Sequence, residues 1–94
     1  MIRSLKGNLA AAVANGERPR RFPADVLRRA QNKLAMIEAA VVLEDLRSPP
    51  GNRLHALAGD REGQHAIRIN DQWRVCFIWE DDGAHEVEIV DYHD

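Results

Sequence analysis

Residues 65–89 alternate with a period of two, in three runs set apart by short polar turns. His65, Ile67 and Ile69 stand between Gln64, Ala66 and Arg68; Trp73, Val75, Phe77 and Trp79 alternate with Arg74, Cys76 and Ile78; Val87 and Ile89 are flanked by Glu86 and Glu88. Successive side chains on a strand point to opposite faces, so this pattern builds a sheet with one face turned to a core. Three such runs in succession predict an antiparallel meander, with Asn70-Asp71-Gln72 and Asp81-Asp82-Gly83 as its turns. A further short strand is expected over residues 53–57, and another at Ile2-Arg3-Ser4-Leu5.

The first half has a different period. Leu5, Leu9 and Val13 recur every fourth residue, and Gly16 is suited to ending that helix in the left-handed conformation. After a connector at residues 17–21, a second helix begins near Phe22, with Pro23 in its first turn and Asp25 near the positive end of its dipole. Leu27, Ala30, Leu34, Ile37 and Val41 mark its apolar stripe, and Ser48-Pro49-Pro50-Gly51-Asn52 breaks helix. The expected fold class is therefore α+β: a helical hairpin packed on one face of a curved, four- to five-stranded antiparallel sheet.

With 94 residues the chain fits a single domain, residues 1–94, with a modest core. No run approaches the length and apolarity of a membrane span, the N-terminus lacks the apolar stretch of a signal peptide, and Cys76 is the lone cysteine; a cytoplasmic protein is expected. The net charge of -2 argues at first against nucleic acid. Its distribution does not: residues 1–79 hold all 13 Lys and Arg against eight acids, and residues 80–94 hold seven acids and no Lys or Arg. A basic face is compatible with the acidic total.

The residues exclude several chemistries. There is no glycine-rich phosphate loop followed by Lys and Ser or Thr, no Gly-x-Ser-x-Gly, and no zinc-type cysteine set. His55, His65, His85 and His93 lack metal-ligand spacing, so no metal and no cofactor is expected. Three features remain. If residues 70–72 form the turn, Arg68 and Arg74 face each other, and such like charges repel unless an anion lies between them or each pairs with a nearby acid. The tail Asp91-Tyr92-His93-Asp94 offers a ring that can stack on a base and an imidazole whose acid form the two aspartates favour. His55 supplies a second imidazole, as acid–base cleavage of RNA requires. Each feature also has a plainer reading: outward arginines paired with Glu86 or Glu88, a frayed terminus, a surface histidine.

Pro49-Pro50-Gly51-Asn52-Arg53-Leu54, Gly59-Asp60-Arg61-Glu62-Gly63, the run from Ile67 to Phe77 and Val90-Asp91-Tyr92-His93 occur in this order. Together they resemble the HigB-like toxins of the RelE/ParE superfamily, a group tied to plasmid maintenance and host killing. The resemblance implies a RelE-like microdomain and ribosome-dependent cutting of mRNA. It also implies a HigA-like antitoxin partner whose helix-turn-helix binds operator DNA, so that the toxin meets DNA only through it. By the same resemblance His55, Asp91, Tyr92 and His93 are the catalytic positions, and Arg68 and Arg74 contact phosphate. Where many relatives have a lysine before the Gly-Asp-Arg motif this chain has Ala58; Arg53 or Arg61 is the candidate RNA-binding cation to substitute for it. Two other outcomes are a ParE-like toxin that acts on DNA gyrase without cutting RNA, and a catalytically silent co-repressor.

Overall fold

The structure, a computed structural model, describes residues 1–92. Among them the elements run α1 (Asn8–Ala14), α2 (Ala24–Ala39), β1 (His55–Ala56), β2 (His65–Arg68), β3 (Trp73–Glu80) and β4 (Gly83–Asp91), with 3-10 turns at Leu43–Arg47, Pro50–Asn52 and Gly59–Arg61. The strands form one antiparallel sheet in the order β1-β2-β3-β4, the meander that the alternating pattern predicts. Two helices pack on that sheet, an α+β fold consistent with a RelE-like microdomain. No described helix is long and apolar enough to cross a membrane.

The core lies between the helices and one sheet face. Ala10, Val13, Val26, Ala30, Leu34 and Ile37 meet Ile67, Ile69, Trp73, Val75, Phe77, Val87 and Ile89 there. A shift in the β3–β4 register between Cys76 and Ile78, with Glu86 at φ 51, marks a bulge. The bulge lets both Ala84 and Val87 turn inward although three positions separate them.

The helical readings need two corrections. Leu5 is not on the first helix. Gly7 has φ +83 and halts the helix N-terminally at Asn8, so residues 2–5 run parallel to the outer edge of β4, bridging at Ala84 and Val87. The predicted N-terminal strand thus exists as a parallel edge segment; the backbone N–H of Arg3 donates to Ala84 O at 2.7 Å and that of Val87 to Ser4 O at 3.0 Å. Val41 is not on the second helix either, and the residue is 81% exposed. α2 stops at Ala39 because the Asp45 carboxylate accepts the N–H groups of Val41 and Val42, at 2.8 and 3.1 Å, and draws the chain into a 3-10 turn well before the two prolines. Val26 is buried while Leu27 is only partly so. The strand expected over residues 53–57 shrinks to His55–Ala56, since Arg53 takes a left-handed conformation (φ 49) to close the Pro50–Asn52 turn.

Candidate active site

The register of the sheet decides which polar residues share a face. Val75 and Phe77 point to the core, so Arg74 and Cys76 point away from it. On that outer face His55 stands opposite Ala66, Ala66 opposite Cys76, and Cys76 opposite Glu88; the adjoining row is Arg68, Arg74 and Val90. Small Ala66 and Cys76 form a floor, with His55, Arg61, Arg68, Arg74 and Glu88 around it. Burial pushes the Cys76 thiol above its ordinary pKa. It is a packed apolar group, not a nucleophile.

The central feature is the arginine pair. Arg68 and Arg74 are direct partners across β2 and β3, as the three-residue turn predicts. The N–H of Ile69 donates to Trp73 O at 3.0 Å, which makes the next pair a non-hydrogen-bonded one, the closer of the two antiparallel arrangements. The two arginines are thereby close cross-strand neighbours on one face. Arg74 donates from Nη1 to the carbonyl of Asn70 and, at 3.1 Å, to that of Trp73, and its guanidinium lies 4.9 Å from the centroid of the Tyr92 ring. Arg68 pairs with Asp71 in the turn. The hydrogen bond from Arg68, then its charge, hold the Asp71 carboxyl below its ordinary pKa, and Arg74 and Arg53 add to the effect. Asp71 therefore sits among three cations, yet its side chain is 99% exposed. An ion pair so exposed is weak and easily displaced by a multivalent anion.

The other sequence-selected residues fall into place around this pair. His55 lies on the same face at the β1 edge, exposed, with Nδ1 2.8 Å from the Arg53 carbonyl oxygen. A carbonyl only accepts, so Nδ1 carries the proton and Nε2 of the neutral ring is left as an acceptor. Arg61 shares the face, but its charge is taken up by Glu88 (3.0 Å) and it also donates to Gln64 (3.1 Å); the Glu88 hydrogen bond raises its pKa. Ala58 is exposed just before the Gly59–Arg61 turn, so the two positions nearest the Gly-Asp-Arg motif offer no open cation.

Asp91 does not join the arginines. It is the partner of core-facing Trp73, and its carboxylate accepts from Arg21 and from Gln72 Nε2, each at 3.2 Å. Arg21 also lies 4.9 Å over the Trp73 ring, which forms a T-shaped pair with Phe22, ring centroids 4.8 Å apart. The Tyr92 N–H donates to Gln72 O at 2.6 Å. The connector before α2 and the β2–β3 turn thus grip the end of β4 from one side while Tyr92 reaches Arg74 on the other. Arg21 and Gln72 were missed by sequence reasoning; the alternation that places residue 91 opposite residue 73 is the signal that finds them. His93 lies outside the described residues.

A family model described as the RelE-like toxin of the type II toxin–antitoxin system HigB matches residues 6–93, nearly the whole chain. The chain belongs to the HigB-like toxin family. Toxin HigB-1 of Vibrio cholerae is 40% identical over 65 residues, covering 69% of this chain and 68% of that protein. Endoribonuclease HigB of Proteus vulgaris is 32% identical over 71 residues, 76% of each. An uncharacterised Haemophilus influenzae protein is 34% identical over 65 residues, covering 69% of this chain and 64% of its own length. As a toxin of a type II toxin–antitoxin system, this HigB-like chain has an antitoxin as its partner class.

Proposed function

We propose that this HigB-like toxin is a ribosome-dependent mRNA endoribonuclease that works by acid–base chemistry of its own side chains. The observation that carries the reading is the forced, close pairing of Arg68 and Arg74 on the outer sheet face, opposed by one fully exposed acid. A phosphodiester between them exchanges repulsion for charge-assisted hydrogen bonds. The endoribonuclease name of the Proteus vulgaris relative agrees with it.

In this scheme the 2′-oxygen attacks phosphorus while His55 Nε2 takes its proton. The P–O5′ bond breaks, and His93 gives a proton to the leaving oxygen. The products are a 2′,3′-cyclic phosphate and a 5′-hydroxyl. His55 and Arg74 are two strands and two residues apart, roughly 12 Å between Cα atoms by sheet geometry. A histidine and an arginine side chain reach across that gap to opposite sides of one phosphodiester. Arg68 and Arg74 stabilise the charge that grows on the phosphorane. Tyr92 stacks on a base, already backed by the Arg74 guanidinium. Asp91 acts through Arg21 and Gln72 as a positioning residue for the tail rather than as a base. The ribosome supplies the alignment that an open sheet face lacks, so free RNA is cut poorly.

The partner we assign is a HigA-like helix-turn-helix antitoxin that represses the shared operon, and the place of action is the cytoplasm, where the mRNA is. Ala58 and the closure of Arg61 by Glu88 favour a second reading, a slower or silent toxin that serves as co-repressor. Mapping mRNA 5′-ends in a reconstituted translation system decides between them. Wild-type toxin is expected to produce cuts inside codons that His93→Ala and Arg74→Ala lose; undiminished cutting by both variants overturns the assignment.

A further inference from the structure

A cleft of about 210 Å³ lies where α2 meets the loop before β1, with Arg68 in its wall. Arg29, Asn32, Lys33, Met36, Gly51 and Arg68 are among its walls. Two of its cations have nothing to neutralise them: Arg29 and Lys33 form no ion pair among the described residues. Lys33 is fixed in place. Its Nζ donates at 2.6 Å to Oδ1 of Asn52, which is fully buried and itself anchored by donating to the carbonyls of Leu46 and Ser48 at 3.1 and 3.3 Å. One ammonium hydrogen is used there, and two remain for a ligand. Burial first, then the Arg29 and Arg68 charges, lower the Lys33 pKa, the mark of cations gathered without a counter-charge.

We propose that this cleft is a second phosphate subsite, which holds a flanking phosphodiester of the same RNA strand that Arg68 and Arg74 hold at the cut. The inference rests on the nuclease reading above. Three observations favour RNA over an acidic protein segment. Arg68 is a wall of the cleft and a member of the arginine pair, so the cationic track is continuous. Planar guanidinium groups and a preset ammonium match phosphate oxygens. Lys33 and Arg29, which form no ion pair among the described residues, line the same cleft as Arg68, so a strand held at the arginine pair meets further cations beside it. The subsite gives α2 a role that its apolar stripe does not explain: one helix face makes core, and residues beside it steer RNA.

The test uses the full chain and an uncleavable 2′-O-methyl RNA oligonucleotide, with affinity measured across a salt series. Arg29→Gln removes one charge from an exposed position. Lys33→Gln removes the other and keeps a donor for Asn52. The double variant is expected to bind about 10-fold more weakly. Its salt slope should fall by about 0.7, the contribution of the one single-strand phosphate that the subsite neutralises. On programmed ribosomes the effect should fall on KM. Arg29→Gln alone, which touches no structural hydrogen bond, should give about half the slope change. A wild-type slope in both variants overturns the subsite. So does a double variant that keeps its RNA affinity and loses that for its antitoxin, which would make the cleft an acidic-peptide site. Arg74→Ala is run in parallel: if it abolishes cutting while the double variant behaves as wild type, the subsite fails and the nuclease reading stands; if neither variant affects cutting or binding, both fail.

Discussion

The two turns that flank β3 differ in what their charges do. At one end the β2–β3 turn presents Arg68 and Arg74 on the outer sheet face, with a single exposed aspartate for company. At the other, the β3–β4 turn gathers Glu80, Asp82 and His85, with His85 Nε2 2.6 Å from Asp82 and 3.4 Å from Glu80, and Arg3 Nε 3.7 Å from Asp82. Arg3 Nε also donates to the Asp82 carbonyl at 2.8 Å, and the Ala84 N–H donates to Met1 O at 2.9 Å. The acidic end closes its charges on itself and on the N-terminal segment. The basic end sets two arginines against one exposed carboxylate. A face that holds like charges side by side without full compensation sacrifices some stability, and sites of function are where such conflict is expected.

Mutations can break that contrast. Replacing Arg74 with alanine is expected to cost the largest amount, roughly 100-fold in mRNA cutting, the scale of losing one preorganised donor to a developing charge. Asp82→Asn at the opposite turn should leave cutting within about twofold, and equal losses in the two variants would end the distinction. Arg74→Lys should recover little, because an ammonium has neither the planar fork nor the stack on Tyr92.

Gly83 tests the structural side. A Cβ built there lies 2.1 Å from Met1 O, and its φ is +129. Gly83→Ala should therefore destabilise by roughly 2 kcal/mol. For a domain this size that lowers Tm by about 10 °C, read by calorimetry. An unchanged Tm would mean that the N-terminal segment does not dock on β4.

Arg21→Ala should reduce cutting by about tenfold, as a modest displacement of a positioned group does. The pH dependence of the remaining rate should keep its shape, since Arg21 holds Asp91 without exchanging protons. A normal rate would detach the connector from the site. The smallest effect concerns acid stability. Asp82 has a pKa lowered from 3.8, chiefly by its hydrogen bond to His85. A depressed carboxyl stabilises the fold above its unfolded pKa and loses that contribution as pH falls through the folded pKa. Asp82→Asn should flatten the acid limb of Tm against pH slightly, since the group is solvent-exposed. Asp71→Asn should behave likewise at the other turn, where Arg68 is the main cause of the same shift.

Much of the sheet was legible. The period-two runs gave the strand order, and the three-residue turn gave the Arg68–Arg74 register, because alternation is a local property of extended chain. Helix ends were less so. Leu5 and Val41 fit a helical repeat, but backbone groups at both ends found other partners, β4 in one case and the Asp45 carboxylate in the other. Site residues divided the same way. His55, Arg68 and Arg74 share the face their register assigns, whereas Arg61 is closed by Glu88 and Asp91 is held by Arg21, both pairs far apart in sequence.

The order of amino acids by itself determined the class of fold, the opposed arginines and the HigB-like motifs, since each depends on spacing within a short stretch. Tertiary structure alone decided which charges stay open: whether a cation is cancelled depends on what long-range packing brings within about 4 Å of it, which spacing within a short stretch does not encode. Lys33, Arg29 and Arg68 converge on one cleft for the same reason, and no periodicity announces it.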